Sequence, residues 1–221
     1  AFRLAIITQS GQQTNLLNRS LTTQLANPTI NCAKLNNVYR LACHNCYQKN
    51  IISPSSGGFY QALFYTRVIE VDIWNSGNTG VWNVRHTGSG NNNNCGYGTS
   101  GNNTLIFCLN DVNNWHNQYP NHDPIILHID LKSDFNSSHT PLMLDNWLKT
   151  IFGINNIYKP GDMLGNVIPV GGIRQSAQQN NWPSMGDLTG KFIFVLTVGE
   201  YWALTYKVLR ILVMDRGSRK R

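Results

Sequence analysis

Charged side chains are scarce in this chain of 221 residues. Asp, Glu, Lys and Arg together make up only 13% of it, and its polarity comes instead from uncharged side chains that include 29 asparagines. Glutamate occurs only twice, at Glu70 and Glu200. The carboxylate pair formed by Glu70 and Asp72, two residues apart, therefore stands out as a candidate functional feature.

Long apolar runs are absent as well. No run reaches the length of about 20 residues that a membrane-spanning helix requires. The apolar start of the chain, residues 1–7, is too short to supply the hydrophobic region of a signal peptide with its flanks. A chain that has already been processed or clipped would explain this start.

The five cysteines are odd in number, and their spacing to the histidines is not that of a zinc finger. Cys95 and Cys108 lie in or beside a loop rich in Gly and Asn, and they could pair in an oxidising compartment. Cys43 and Cys46 form a C-x-x-C pattern, which is typical of redox pairs. That pattern brackets a His-Asn pair, and no second C-x-x-C exists to complete a metal site.

The formal net charge of +7 favours an anionic partner, such as a phospholipid surface, a phosphodiester or a nucleic acid. The basic residues do not cluster with aromatic residues along any face, and this argues against nucleic acid. Four of the positive charges fall in the last six residues, 216–221. This basic end is either a solvated tail or a membrane contact.

Predicted strands and helices alternate along the chain. Hydrophobic patterns predict strands over residues 35–43, 67–74, 81–85, 125–131 and 191–198, and helices over 59–63, 105–115 and 141–151. Weaker patterns predict a short helix over 16–25, a short strand over 167–170, and an apolar segment of either kind over 206–214. The alternation indicates an α/β fold with a parallel sheet.

Polar side chains follow several of these strands at their carboxyl ends, which is where βα-barrels carry their active sites. We therefore predict a distorted TIM-like barrel. Only about six strands can be counted, whereas a complete eight-stranded barrel usually takes about 250 residues, so the barrel is expected to be incomplete at its C-terminus. The predicted organisation is a lead-in segment over 1–34, a barrel domain over 35–205 and a basic tail over 206–221.

The carboxylates at the strand ends predict a metal site. Glu70 and Asp72 are two apart on a strand, so they point to one face and repel one another unless a cation lies between them. Asn45 and Asp130 complete a set of four oxygen ligands, which favours Ca²⁺, with Mg²⁺ as the less favoured ion. Lys132 points the same way as Asp130, and it could neutralise the site or hold a phosphate.

A second interpretation of the acidic pair is structural. Glu70 or Asp72 could form an ion pair with Arg67 or Arg85 inside the barrel, and no metal would then be needed.

Two histidines, His44 and His86, each follow a strand end. Imidazoles can share acid and base duties near neutral pH, and two of them beside a carboxylate cluster favour a catalytic role. His128 alternates with Asp130 and could also face the barrel interior, in support of the site. The remaining histidines are predicted on helix or loop surfaces without a role, and they are His116, His122 and His139.

Five segments, in order along residues 35–198, resemble motifs of the phosphatidylinositol-specific phospholipases C. The segment at 35–47, which ends in Leu-Ala-Cys-His-Asn-Cys-Tyr, resembles the first catalytic motif, usually Thr-His-Asn-Ser-Tyr. Val-Ile-Glu-Val-Asp-Ile-Trp at 68–74 resembles the second motif, which carries two metal-binding acids. Residues 84–86 resemble the site of the second catalytic histidine, and 124–130 the strand with a further acid. Residues 182–196 resemble a later segment of the bacterial calcium-dependent branch.

This resemblance implies a distorted TIM barrel, like the X domain of such enzymes, that cleaves phosphatidylinositol to diacylglycerol and inositol phosphate. It implies that His44 is the general base or stabilises the transition state, and that His86 is the general acid for the leaving glycerol oxygen. The ligands of Ca²⁺ would be Asn45, Glu70, Asp72 and Asp130. The ion would lower the pKa of the inositol 2-hydroxyl and offset charge on the phosphate.

Further expectations accompany these roles. Lys132 and Arg85 are the candidate substrate-binding residues. The partners would be phosphatidylinositol and an anionic phospholipid membrane, with no nucleic acid, and the protein would be a monomer that is secreted or extracytoplasmic and peripheral at membranes. The chain departs from the family by placing Cys43 and Cys46, interpreted as small substitutions rather than a redox motif, around His-Asn. It also ends in a basic tail where the family continues.

Two other functions fit parts of the sequence. Glycerophosphodiester phosphodiesterases share the barrel, the two histidines, an E-x-D pair and an acid-x-Lys pattern, which Asp130 and Lys132 match. Their first motif, however, has Arg rather than Asn after the histidine. A catalytically inactive, truncated lipid-binding remnant is the other alternative, and the short C-terminus suggests it.

Overall fold

The fold is built on a six-stranded sheet. The computed structural model describes residues 5–6, 31–48, 57–87, 93–96, 104–164 and 171–197. The strands are β1 (Ala5–Ile6), β2 (Leu41–Cys43), β3 (Val68–Asn75), β4 (Trp82–Val84), β5 (Ile125–Leu131) and β6 (Phe192–Thr197). Neighbours in the order β1-β2-β3-β5-β6 are parallel, and β4 pairs with β3 in the antiparallel sense.

Five helices and two short 3-10 turns connect the strands in the described ranges. The helices are α1 (Gly58–Ala62), α2 (Leu105–Gln118), α3 (Pro141–Phe152), α4 (Pro160–Leu164) and α5 (Gly172–Gln178), and the 3-10 turns are Leu35–Asn37 and Ile154–Asn156. Thr140 caps α3 by accepting a hydrogen bond from the backbone N–H of Met143, and Pro stands at the first position of the helix. Gly153, with φ of 75°, ends it. None of the helices described here is long and apolar enough to span a membrane.

The two faces of β3 and β5 carry different kinds of side chain, because successive side chains along a strand point to opposite faces. One face carries residues that are fully buried against the helices, among them Ile69, Val71, Leu127 and Ile129. The other face carries polar side chains in register. Glu70 lies opposite His128, and Asp72 lies opposite Asp130. The sheet thus gathers the candidate site residues on the side that would be the interior of a barrel.

The α/β fold with a parallel sheet is confirmed, with two corrections. The first long strand is shorter than the predicted 35–43, because residues 35–37 form a 3-10 turn. The strand predicted over 81–85 runs antiparallel to β3 rather than adding a parallel strand. The connection from Asn75 to Trp82 is too short for the crossover that two parallel strands require, so the chain returns as a hairpin.

The barrel is not closed by the residues that the structure describes. Beyond the bridge from Ile157 to Phe192, the outer edge of β6 has no further partner within the described ranges. Val195 in this strand is 45% exposed. The predictions over 16–25, 167–170 and 206–214 lie outside the described residues, and the three-part domain division stays a prediction.

A disulfide between Cys95 and Cys108 ties residues 93–96 to the buried side of α2, as the sequence allows. Removing it by the double change to alanine should lower the free energy of unfolding by about 3 kcal/mol, because a loop closed over some fourteen residues constrains the unfolded chain by that amount. Urea unfolding measures this loss. Cys32→Ala, which changes an exposed free thiol, is the control and should have no effect; a loss below about 1 kcal/mol in the double variant would contradict the prediction.

Candidate active site

The turn after β2 carries the first candidate residues. β2 ends at Cys43, and His44 and Asn45 follow at the carboxyl end of the parallel strands. Asn45 has φ of 59°, a left-handed conformation that Asn tolerates better than most residues. A disulfide joins Cys43 to Cys46 and closes the backbone around the pair. The two cysteines therefore cross-link this turn covalently, and they are more than small substitutions in it.

Three carboxylates converge beside the turn. Glu70 and Asp72 project from β3, and Asp130 projects from β5 directly opposite Asp72. One oxygen of each carboxylate lies within 4.8 Å of the other two. The backbone N–H of Asn45 donates to Glu70 Oε2 at 3.0 Å, which ties the turn to the cluster.

The side-chain amide of Asn45 faces the same oxygens. With the amide turned so that nitrogen points inward, Nδ2 lies 3.1 Å from Asp72 Oδ2, 3.2 Å from Glu70 Oε2 and 2.9 Å from Tyr47 Oη. Nitrogen is the amide atom that suits three oxygen neighbours, whereas a cation between the carboxylates would require the amide oxygen at that place. The amide is thus positioned as a hydrogen-bond donor to these oxygens, and it would have to turn its oxygen inward to serve as a metal ligand.

Burial, together with the neighbouring Asp72, raises the pKa of Glu70 to about 8. For Asp72, burial alone would raise the pKa, but four hydrogen bonds outweigh burial and lower it. These bonds come from Glu70, Tyr47, His86 and Lys132. Near neutral pH Glu70 therefore carries a proton while Asp72 is ionised. The proton reduces the electrostatic repulsion between the two carboxyl groups, as a bound cation would.

The donor set fits a hard divalent cation. Every donor is an oxygen, three from carboxylates and one from an amide, and Ca²⁺ prefers such ligands. The residues that would hold the ion are Asn45, Glu70, Asp72 and Asp130.

The alternative ion pair with an arginine is wrong. The guanidinium of Arg67 lies over the ring of Trp115, 4.4 Å from its centroid, and that of Arg85 lies over Trp74, at 5.3 Å. Among the ion pairs of the described residues, neither arginine reaches Glu70 or Asp72.

Lys132 supplies a positive charge to the cluster. Its Nζ lies 3.0 Å from Asp72 Oδ1 and 2.5 Å from Asp130 Oδ2. Burial alone would lower the pKa of Lys132, but the hydrogen bonds to Asp130 and Asp72 raise it. The ammonium group therefore stays charged and offsets part of the negative charge, as the sequence suggests.

The two candidate catalytic histidines face each other over the carboxylates. Their ring centroids are 6.5 Å apart, and the rings are nearly perpendicular. His86 Nδ1 lies 2.9 Å from Asp72 Oδ2, and His44 Nε2 lies 3.8 Å from Glu70 Oε2. Both side chains are about half exposed, at 51% for His86 and 57% for His44. Each imidazole therefore has one nitrogen directed at a carboxylate and the other available to a ligand.

Arg85 lies at the rim of the site, beside His86. Its backbone N–H donates to the carbonyl oxygen of Asp72 at 3.3 Å. The indole N–H of Trp74 donates to the carbonyl oxygen of Arg85 at 3.0 Å. These contacts join the backbone of Arg85 to Asp72 and Trp74, and the guanidinium lies over the ring of Trp74, near His86 in the chain.

The prediction that three histidines lie on the surface is wrong, because His116, His122 and His139 are all buried. His116 and His122 satisfy one another, with Nδ1 of the first 2.8 Å from Nε2 of the second. Burial lowers the pKa of His116, and it lowers the pKa of His122 to about 4, so both rings are neutral near pH 7. His128 shares the face of Glu70, as predicted, and its ring hydrogen-bonds to Thr197.

Tyr47 is a residue of the site to which the sequence gives no role. Its hydroxyl donates to Asp72 Oδ2 at 2.7 Å. Burial, with the hydrogen bond to Asp72, raises the pKa of Tyr47 well above its ordinary value, so the hydroxyl keeps its proton. The only signal in the sequence is its place two residues after Asn45 in the same motif.

Calcium affinity should rise with pH. Glu70, whose pKa is raised from 4.5 to about 8, holds a proton that a cation must displace. The apparent association constant is therefore expected to increase about tenfold per pH unit from pH 6 and to level off above pH 8, with about one proton released per ion at pH 7. By the same linkage, the metal-free chain loses stability as pH rises from 4.5 to 8.

Isothermal titration calorimetry in buffers of different ionisation enthalpy measures both the affinity and the proton release. Glu70→Gln is the matched control, since its weaker calcium binding should depend little on pH. A pH-independent affinity in the unchanged chain would contradict the prediction.

Comparison with known proteins places the chain in a family. The model of the Ca²⁺-dependent phosphoinositide phospholipases C matches residues 97–211, more than half of the chain. A calcium-dependent phosphoinositol-specific phospholipase C from Pseudomonas sp., in a myoinositol complex, is 32% identical with a TM-score of 0.67, over 77% of this chain and 60% of that one. A Ca²⁺-dependent phosphatidylinositol-specific phospholipase C from Streptomyces antibioticus is 30% identical with a TM-score of 0.61, over 72% and 52%.

The chain thus spans about half to three-fifths of the length of these relatives. A search of curated proteins gave no match. Because the family model covers more than half of the chain and agrees with the fold, the chain belongs to the Ca²⁺-dependent phosphoinositide phospholipase C family.

Proposed function

We propose that the chain is a phosphoric diester hydrolase that cleaves phosphatidylinositol to diacylglycerol and inositol phosphate, with Ca²⁺ as its cofactor. One observation carries this proposal. Two half-exposed imidazoles, 6.5 Å apart between ring centroids, face each other over a cluster of three carboxylates. Membership of the family, and the myoinositol complex of the Pseudomonas relative, support an inositol headgroup as the ligand.

The spacing of the imidazoles suits the two proton transfers of phosphodiester cleavage. In the reaction the inositol 2-hydroxyl oxygen attacks phosphorus, and its proton passes to His44. The bond from phosphorus to the glycerol oxygen breaks, and His86 donates a proton to that oxygen, which leaves on diacylglycerol. The product on the inositol is a cyclic phosphate, which water can open when the two histidines exchange roles.

His86 is oriented for the acid role by Asp72. The carboxylate oxygen at 2.9 Å holds the Nδ1 side of the ring, so Nε2 is directed away from the cluster. It also stabilises the positive charge of the protonated ring, in the way that a buried carboxylate orients and supports a catalytic histidine elsewhere. A bound Ca²⁺ would lower the pKa of the attacking hydroxyl and offset negative charge on the phosphate.

Lys132 and Arg85 are the proposed substrate-binding residues. Lys132 bridges Asp72 and Asp130, so its ammonium group is placed to contact a phosphate oxygen at the cluster. Arg85 is held over Trp74 beside His86, which places a second positive charge at the rim. Two positive charges near the histidines suit the negative charge of a phosphodiester.

The same face is proposed to contact an anionic membrane. Leu142, 53% exposed, lies in the first turn of α3, just after the site end of β5. The net charge of +7 would attract the chain to anionic lipid. We propose a monomer that is secreted or extracytoplasmic and peripheral at membranes, and the two disulfides support such a location because they persist in oxidising compartments.

The test offers the purified chain two substrates with Ca²⁺ present. Phosphatidylinositol vesicles should yield diacylglycerol, and glycerophosphodiesters should be left intact. Cleavage of glycerophosphodiesters alone would favour the other barrel phosphodiesterases. Binding to vesicles without turnover would favour the inactive lipid-binding remnant.

A further inference from the structure

Tyr47 connects two of the proposed calcium ligands through one hydroxyl. The hydroxyl lies 2.7 Å from Asp72 Oδ2 and 2.9 Å from the inward atom of the Asn45 amide. The side chain is fully buried and has no direct access to substrate. Any effect that it has on the reaction must therefore act through the residues that it holds.

The ring of Tyr47 is fixed from several sides. It packs edge-on against Phe59, with 6.2 Å between ring centroids. The backbone carbonyl oxygen of Tyr47 accepts a hydrogen bond from the backbone N–H of Asn94 at 2.8 Å. The preceding residue, Cys46, is held by its disulfide to Cys43. The hydroxyl therefore has a fixed position, and it can orient a neighbouring side chain that is free to rotate.

That neighbouring side chain is the amide of Asn45, which must face different partners when the site is empty and when it holds a cation. When the site holds no cation, the amide nitrogen is the atom that suits the surrounding oxygens. When the site holds a cation, the amide oxygen must face it. In the first state the hydroxyl donates its one proton to Asp72 and accepts a hydrogen bond from the amide nitrogen. In the second state the same proton can go either to the amide oxygen or to Asp72, so the hydroxyl has a partner among the ligands in each state.

We propose that Tyr47 is a positioning residue that sets the calcium affinity of the site by orienting Asp72 and the Asn45 amide. The inference rests on the proposed function, since it takes Ca²⁺ to be the ion at the carboxylate cluster. Groups that orient metal ligands from behind affect metal binding strongly, and their loss typically costs 10–100-fold in affinity or activity.

The test is Tyr47→Phe, which removes a single oxygen, and the readout is calcium binding by calorimetry. The dissociation constant for Ca²⁺ should rise by about 10- to 100-fold. The calcium concentration for half-maximal activity should rise in proportion to the dissociation constant.

Tyr60→Phe is the matched control. Tyr60 is also buried, and its hydroxyl donates to Gln118 Oε1 at 2.6 Å, away from the carboxylates. This variant should lose stability without any change in calcium affinity. In an Asn45→Ala background, Tyr47→Phe should weaken calcium binding less than it does alone, because part of its action passes through the amide.

Several results would overturn the inference. One is a calcium affinity in Tyr47→Phe equal to that in Tyr60→Phe. Another is a folding defect in Tyr47→Phe that added Ca²⁺ fails to reverse, which would show a packing role alone. If the unchanged chain binds no Ca²⁺, both the inference and the proposed cofactor are wrong. If calcium affinity responds as expected but phosphatidylinositol is not cleaved, the proposed function alone is wrong.

Discussion

Changing His86 to alanine should reduce the rate of phosphatidylinositol cleavage by roughly 10²- to 10⁴-fold, the range that general acid–base catalysis usually supplies. His86 is half exposed and is oriented by Asp72 at 2.9 Å, so its loss removes the proton donor without opening the core. The variant should still fold and bind Ca²⁺. Steady-state release of diacylglycerol measures the effect.

A change of leaving group separates the acid from the base. An inositol phosphodiester with an aryl leaving group such as p-nitrophenol needs no protonation of the departing oxygen. His86→Ala should therefore lose little activity on that substrate, whereas His44→Ala should be slow on both substrates. Equal losses for the two variants on both substrates would show that the proposed division of roles is incorrect.

Replacing Asp72 by asparagine should have the widest effect on the site. This fully buried carboxylate contacts Tyr47, His86 and Lys132, and it is also a proposed calcium ligand. Loss of a residue that hydrogen-bonds to a metal ligand typically lowers metal affinity 10–100-fold, and loss of a ligand itself should lower the affinity more. We therefore expect calcium affinity to fall by more than about 100-fold, and activity to fall further because His86 loses its orienting partner.

Asp145→Asn is the matched control for this change. Asp145 is likewise buried and paired with a lysine, at 2.5 Å from Lys149 Nζ, but it lies on α3 and outside the cluster. Both variants should lose stability, and only Asp72→Asn should lose calcium binding, as measured by calorimetry. Similar calcium affinities in the two variants would mean that Asp72 is not a ligand.

Much of the sheet could be predicted from local patterns. The alternation of acids with Ile69 and Val71 predicts both the strand and the shared face of Glu70 and Asp72, because strand side chains alternate with a fixed period. The carboxyl ends of parallel strands meet at one edge, so the grouping of these acids with Asn45 and Asp130 could also be anticipated. The roles of these residues stay predictions until the variants are measured.

Features that depend on contacts distant in sequence could not be predicted. His116 lies in the last turn of α2 and His122 in the loop after it, which suggests surface positions, yet Phe192 from β6 packs against both rings. The hydroxyl of Tyr47 gains its role only from the position of Asp72, 25 residues away. The direction of β4 was accessible in principle, since the short connection after β3 permits only a hairpin.

The most direct test of the central claim is phosphorus NMR of phosphatidylinositol vesicles incubated with the chain while free Ca²⁺ is varied. The account predicts that the phospholipid resonance is replaced by that of a cyclic inositol phosphate, at a rate that rises with Ca²⁺ and falls to background when the ion is chelated. A rate that is unchanged by chelation, or an unchanged phospholipid resonance at saturating Ca²⁺, would contradict it.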